Sequence, residues 1–140
     1  MKPRLLMRTL VLSLVAGFLI GGAAAQNEPS KPFQGIWLGG MGDAKNKTYE
    51  LTFAGTKLSA KNLKDGKVMG EGTCQFDAAK KTLDVVGTTG EYKGKTYRGL
   101  YSVEGTSLKW CVGNANQPRP GKIAHEPGAG SYLLVLQKRP

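Results

Sequence analysis

The sequence predicts an all-β domain: a small antiparallel barrel of about eight strands, or a strongly curved sheet, with a two-sheet sandwich as the alternative. Three observations predict it. Apolar and polar residues alternate with a period of two in segment after segment. Turn-forming pairs recur at short, regular spacing. Glycine supplies 20 of the 140 residues and no segment carries a helical period, which disfavours long helices because each internal glycine costs about 1 kcal/mol relative to alanine. Closure removes the exposed edges that a sandwich keeps, so the barrel is the preferred form.

The elements follow in order. Gly35 to Leu38 is a short first strand carrying Trp37. Lys47 to Phe53 sets Tyr49, Leu51 and Phe53 on one face and Thr48, Glu50 and Thr52 on the other. Ala54-Gly55 turns the chain into Lys57 to Asn62, where Leu58 and Ala60 alternate with lysine and serine. Asp65-Gly66 is a two-residue hairpin signal. The strand from Lys67 to Phe76 contains Gly70 and Gly72, which predict a bend or bulge. Thr82 to Gly87 directs Leu83 and Val85 inward. Lys93-Gly94 leads into Lys95 to Val103, where Tyr97, Gly99, Tyr101 and Val103 share a face. Ser107 to Val112 presents Leu108, Trp110 and Val112. A glycine- and proline-rich loop of about 18 residues, Gly113 to Gly130, precedes the last strand. That strand, Ser131 to Lys138, is apolar on both faces through Leu133 to Leu136 and is expected to be covered on both sides.

The N-terminus reads as an export signal. Lys2, Arg4 and Arg8 form a basic start without acids, Leu10 to Ile20 is an apolar run, and Ala23-Ala24-Ala25 supplies small residues for cleavage. The apolar run falls short of the roughly 20 residues that span a bilayer. The expected organisation is a signal over residues 1–25, a linker over 26–32 and a single barrel over 33–140, placed in the periplasm or outside the cell. No later segment is apolar enough to be a transmembrane helix. The full chain carries net charge +10, and +7 remains once the signal's three cations are removed. Nearly all the cations are lysines in turns and on alternate strand positions, which reads as a solvated surface that blocks edge pairing. The sharper reading is attraction to an anionic envelope polymer or lipid head groups. Scattered lysine and sparse arginine in an exported chain disfavour nucleic acid.

Several chemistries fail on residue type and spacing. Gly94-Lys95-Thr96 resembles the end of a phosphate loop, but its first glycine is missing at Thr89 and a strand follows where a helix is needed. His125 is the single histidine, and no nucleophile elbow surrounds any serine. One histidine and two cysteines exclude a Cys/His zinc site. The acids Glu50, Glu71, Asp84, Glu91 and Glu104 fall on polar faces or at turns, which disfavours a carboxylate pair for glycoside cleavage. No cofactor is implied. In an oxidising compartment Cys74 and Cys111 form a candidate disulfide closing a loop of about 36 residues. Strand parity opposes it, since Cys74 shares a face with Phe76 while Cys111 lies opposite to Trp110; a bulge would reverse this.

From Phe33 onward the chain resembles a family of small extracytoplasmic domains of unknown function abundant in planctomycete bacteria. The likeness is carried by Gln34-Gly35-Ile36-Trp37, Leu51-Thr52-Phe53 with Gly55, Gly70 with Gly72-Thr73, and Gly94-Lys95-Thr96 with Gly99-Leu100-Tyr101. The tail adds Leu108 with Cys111, Arg119-Pro120, Pro127-Gly128 with Gly130, and Leu133 with Val135-Leu136. Ile123 stands where such domains carry an aromatic residue after Arg-Pro. The resemblance implies a lipocalin-like β-barrel and no particular activity.

Three functional readings follow. The first is a non-catalytic exported module that binds a small apolar or amphipathic, lipid-like ligand. Its candidate ligand-binding residues are Trp37, Tyr101, Trp110 and Arg119, with Tyr49 and Tyr97 as further aromatic candidates and the long loop as the expected lid. The second is a structural or interaction domain of the envelope with a filled core and a basic surface. The third, an enzyme, requires His125 or an acid pair to converge in a cleft.

Overall fold

The computed structural model describes residues 29–126 and 128–140; the expected signal segment lies outside them. A 3₁₀ turn, Lys31–Phe33, leads into eight strands: β1 (Gly35–Met41), β2 (Tyr49–Ala54), β3 (Lys57–Asn62), β4 (Val68–Asp77), β5 (Thr82–Gly90), β6 (Thr96–Glu104), β7 (Ser107–Gly113) and β8 (Ser131–Lys138). Each strand pairs antiparallel with the next, and β8 returns to β1 from Trp37↔Lys138 to Met41↔Leu134. The result is a closed up-and-down barrel, so the curved-sheet and sandwich forms are excluded. No helix among the described residues is long and apolar enough to cross a membrane.

Alternation builds the interior. Leu51 and Phe53 of β2, Leu58 and Ala60 of β3, Leu83 and Val85 of β5, Leu108, Trp110 and Val112 of β7, and Leu134 and Leu136 of β8 all point inward and are buried. The register of β4 shifts between Glu71 and Gly72 against β5, a bulge at the glycines that the sequence marked. Such a bulge sharpens the bend that closure of a small sheet requires.

The two ends differ. Phe33, brought in by the 3₁₀ turn, is fully buried and packs on Phe53, Phe76 and Tyr101 with ring centroids 5.4, 4.7 and 4.7 Å away. Its carbonyl accepts a 2.7 Å hydrogen bond from Trp37 Nε1. Gln34 ties the plug to the β2–β3 turn, donating from Nε2 to the Gly55 carbonyl and accepting from the Gly55 N–H. Chain from Ser30 onward is therefore part of the packed barrel; Ser30 is itself buried, and its carbonyl caps the turn. The other end carries the β1–β2, β3–β4 and β5–β6 turns and has no equivalent plug among the described residues.

The β7–β8 connection does not close that open end. It runs over the outside of the wall. Asn116 donates its N–H to the Thr96 carbonyl while its Oδ1 accepts from the Thr96 N–H. Arg98 donates to the Gln117 carbonyl, Arg119 pairs with Asp84 on the outer face of β5, and Cys111 Sγ lies 3.6 Å from the Ala124 carbonyl. The expected lid is a strap. It covers outward-facing Cys111 and seals one side of the wall, while Leu133, on the outer face of β8, is buried too.

Candidate functional site

The open end holds an apolar cup of about 60 Å³. Its floor and walls are inward residues of five strands, with Leu51, Ala60, Val85, Trp110 and Leu134 among them. Its upper wall is aromatic. Tyr97 and Tyr132 are the first inward residues of β6 and β8, and Tyr92 reaches in from the β5–β6 turn. Tyr49 sits half-buried against the same core at the start of β2.

Tyr92 is seated by missing side chains. A Cβ at Gly70 would lie 2.7 Å from its ring, and one at Gly87 would lie 2.6 Å from its own Cβ. The two glycines form a socket into which the hairpin folds. The ring then meets Tyr97 edge-on, with centroids 5.7 Å apart and planes at 87°. Its hydroxyl donates to Met69 Sδ at 3.7 Å. Trp110 is fixed similarly. Its Nε1 donates 3.1 Å to the Leu83 carbonyl, and glycine at 99 leaves room for the indole. The indole therefore offers the cup an apolar face, its single donor being satisfied across the barrel.

Burial raises the phenol pKa values here. Tyr132 is pushed up to about 12, chiefly by desolvation and then by Tyr97 and Tyr49. Tyr92 is raised further, by desolvation first and by Tyr132 and Glu91 next. Tyr97 moves the same way for the same leading reason. The phenols are neutral hydroxyls at ordinary pH, able to donate a hydrogen bond at the rim of an otherwise apolar cup.

The sequence-predicted residues are dispersed. Trp110 lines the cup. Trp37 is fully buried at the plugged end, with its indole N–H on Phe33 and Lys138 Nζ 5.6 Å from its ring centroid. Tyr101 is also at the plugged end, edge-on to Phe33. Arg119 lies on the outer wall, 2.5 Å from Asp84 Oδ2, with Nε buried and unpartnered. These three are separated from the cup because alternation fixes the face and register fixes the height. Cys74 and Cys111 are both free thiols, so the candidate disulfide is not formed. Cys74 belongs to the interior core, where burial raises its thiol pKa to about 12, while Cys111 faces the strap on the other side of the wall. His125 is exposed in the strap beside Gly42. Glu50 pairs with Arg139, Glu71 with Lys57 and Asp84 with Arg119, each on the outside. No group of three His, Cys, Asp or Glu side chains able to hold a metal ion occurs among the described residues.

Tyr92 and Tyr132 are the cup residues that sequence reasoning missed. Tyr132 was visible as the next inward position before Leu134 and Leu136. Tyr92 had no local signal, since it lies in a turn between Gly90 and Gly94.

Larger hollows occur on the outer wall, one of about 640 Å³ beside Lys45, Lys47, Lys109 and Val135, and one of about 400 Å³ beside Lys81, Leu100 and Ile123. They are more open than the cup, which is lined by inward core residues and framed by aromatic rings. No protein-family model, curated protein or solved structure matches this chain, so the geometry of the cup and the sequence carry the functional reading.

Proposed function

We propose that the protein is an exported, non-catalytic β-barrel that takes a small apolar group of a ligand into the cup at its open end. The observation that carries this reading is the cup itself: Trp110, Tyr92, Tyr97 and Tyr132 around an apolar floor, at the end left open while Phe33 plugs the other. Recessed apolar sites with a few polar groups at the rim are the usual form of small-molecule sites. The cup is small. An apolar cavity of about 150 Å³ is what holds a benzene ring, so about 60 Å³ admits a short aliphatic group and no folded chain. Export rests on the basic, apolar and small-residue order of residues 1–25, and the planctomycete-type extracytoplasmic family that the sequence resembles fits that compartment.

The smallness of the cup also favours a second reading, an envelope interaction domain whose core is simply filled. Native mass spectrometry of the protein purified from its own envelope separates the two. The binding reading expects a stoichiometric adduct that is lost on denaturation. A bare polypeptide mass, together with no saturable change in tryptophan emission on titration with hexanol, transfers the case to the interaction domain.

A further inference from the structure

We infer that the ligand of the cup is a short-chain aliphatic carboxylate, its apolar end among the tyrosines and its negative head held by lysines of the β3–β4 and β5–β6 turns at the mouth. This rests on the proposed binding role of the cup.

The turns of the open end are unequally charged. Lys64 and Lys67 lie in the β3–β4 turn and Lys93 and Lys95 in the β5–β6 turn, while Lys45 and Lys47 of the β1–β2 turn lie beside the hollow on the outer wall. The same turns contain three acids, Asp43, Asp65 and Glu91. Two of these carboxylates are turned to the backbone, accepting 2.9 Å hydrogen bonds from the N–H of Lys45 and of Lys67. The ion pairs among the described residues use Lys57, Arg119, Lys122 and Arg139, and none of these six turn lysines.

Most cations at the plugged end are engaged instead, Lys31 and Lys80 excepted. Lys57 pairs with Glu71 and Arg139 with Glu50, while Lys81 and Lys138 lie over the rings of Tyr101 and Trp37. At the end that opens into the apolar cup, Lys64, Lys67, Lys93 and Lys95 are all uncommitted, against Lys31 and Lys80 at the plugged end. Tyr92 links the two features directly, since it lines the cup and is followed in the same turn by Lys93 and Lys95. A field of one sign around a low-dielectric recess concentrates ligands of the opposite charge. The ligand that satisfies both parts has an anionic head outside and an apolar end inside. The small volume of the cup restricts that end to a short chain.

Three probes with one chain and different heads test this: hexanoate, hexanol and hexylamine, titrated against tryptophan emission of the full folded protein. The expected result is that hexanoate binds about tenfold more tightly than hexanol at low ionic strength, and that the preference shrinks as salt screens the mouth. Replacing Lys93→Gln with Lys95→Gln is expected to bring hexanoate down several-fold and leave hexanol unchanged. Replacing Lys80→Gln with Lys81→Gln at the plugged end is expected to change neither. Equal binding of hexanol and hexanoate, or tighter binding of hexylamine, overturns the carboxylate inference and leaves the cup reading standing. Equal losses from the two lysine pairs overturn it as well, because the attraction is then diffuse. If none of the three probes binds saturably, the cup reading itself fails.

Discussion

Trp110 joins the core to the cup, and its position depends on an absent side chain. A Cβ at residue 99 would lie 2.5 Å from Trp110 Nε1 and 2.7 Å from the Cys111 carbonyl oxygen. Gly99→Ala must displace the indole or the β6–β7 ladder. The expected cost is about 1–3 kcal/mol in urea denaturation, with a shift of tryptophan emission that a remote surface change would not give. The tyrosines make a prediction about alkaline pH. Tyr132 holds its proton up to about 12, and Tyr92 beyond that, where an unfolded tyrosine titrates near 10. Above that lower value the unfolded chain binds fewer protons than the folded one, so stability falls as pH rises. The contribution is complete below pH 10 and declines from there towards 12 and above. Ultraviolet titration of phenolate in the folded protein is expected to show four tyrosines ionising late, Tyr92 and Tyr132 last, that become ordinary in denaturant. All the tyrosines ionising together near 10 would remove the claim that the cup is desolvated.

At the scale of elements, the strands were legible and the long connection was not. Strands β3 and β8 have the bounds that alternation and turn residues indicate, Lys57–Asn62 and Ser131–Lys138. β1 continues to Met41, three residues beyond Leu38, through Gly39 and Gly40. Glycines carry no side-chain period, and here their bareness admits close neighbours: a Cβ at Gly39 would meet the backbone of β8. β5 likewise continues to Gly90 through threonines that expose both faces, with Thr89 Oγ1 accepting from the Glu71 N–H. The strap, read as a lid, lies on the wall because its partners Asp84, Thr96, Arg98 and Cys111 all face outward. The Arg119–Asp84 pair is partly buried, and Asp84 also accepts from the Gly99 N–H. Arg119→Ala is expected to cost about 1–2 kcal/mol and to speed proteolytic cleavage within residues 114–126. Hexanol binding is expected to stay unchanged, because the strap does not cross the mouth; a large loss of binding would show that it does.

For the whole molecule, one buried residue decides which end is the site. Phe33 closes the barrel beneath Phe53, Phe76 and Tyr101, so Phe33→Ala opens a void in the aromatic floor. It is expected to cost about 3–5 kcal/mol in denaturant unfolding. Loss of under 1 kcal/mol would mean that the plug is loosely seated and that the two ends are more alike than the packing indicates.

The sequence by itself determined the all-β class, the number of strands, the inward set of apolar residues and the opposed faces of Cys74 and Cys111, because these follow from a period of two along a single strand. It also placed lysines in the turns. Only the tertiary structure decided closure, the plugged end, the outward course of the strap and the membership of the cup. Those depend on register between strands distant in sequence, which sets the height of each side chain along the barrel. That is why Trp110 reaches the cup while Trp37 and Tyr101, inward by the same alternation, lie at the opposite end. Tyr92 is the sharpest case: a turn residue becomes a wall of the site because glycines on two other segments leave it room.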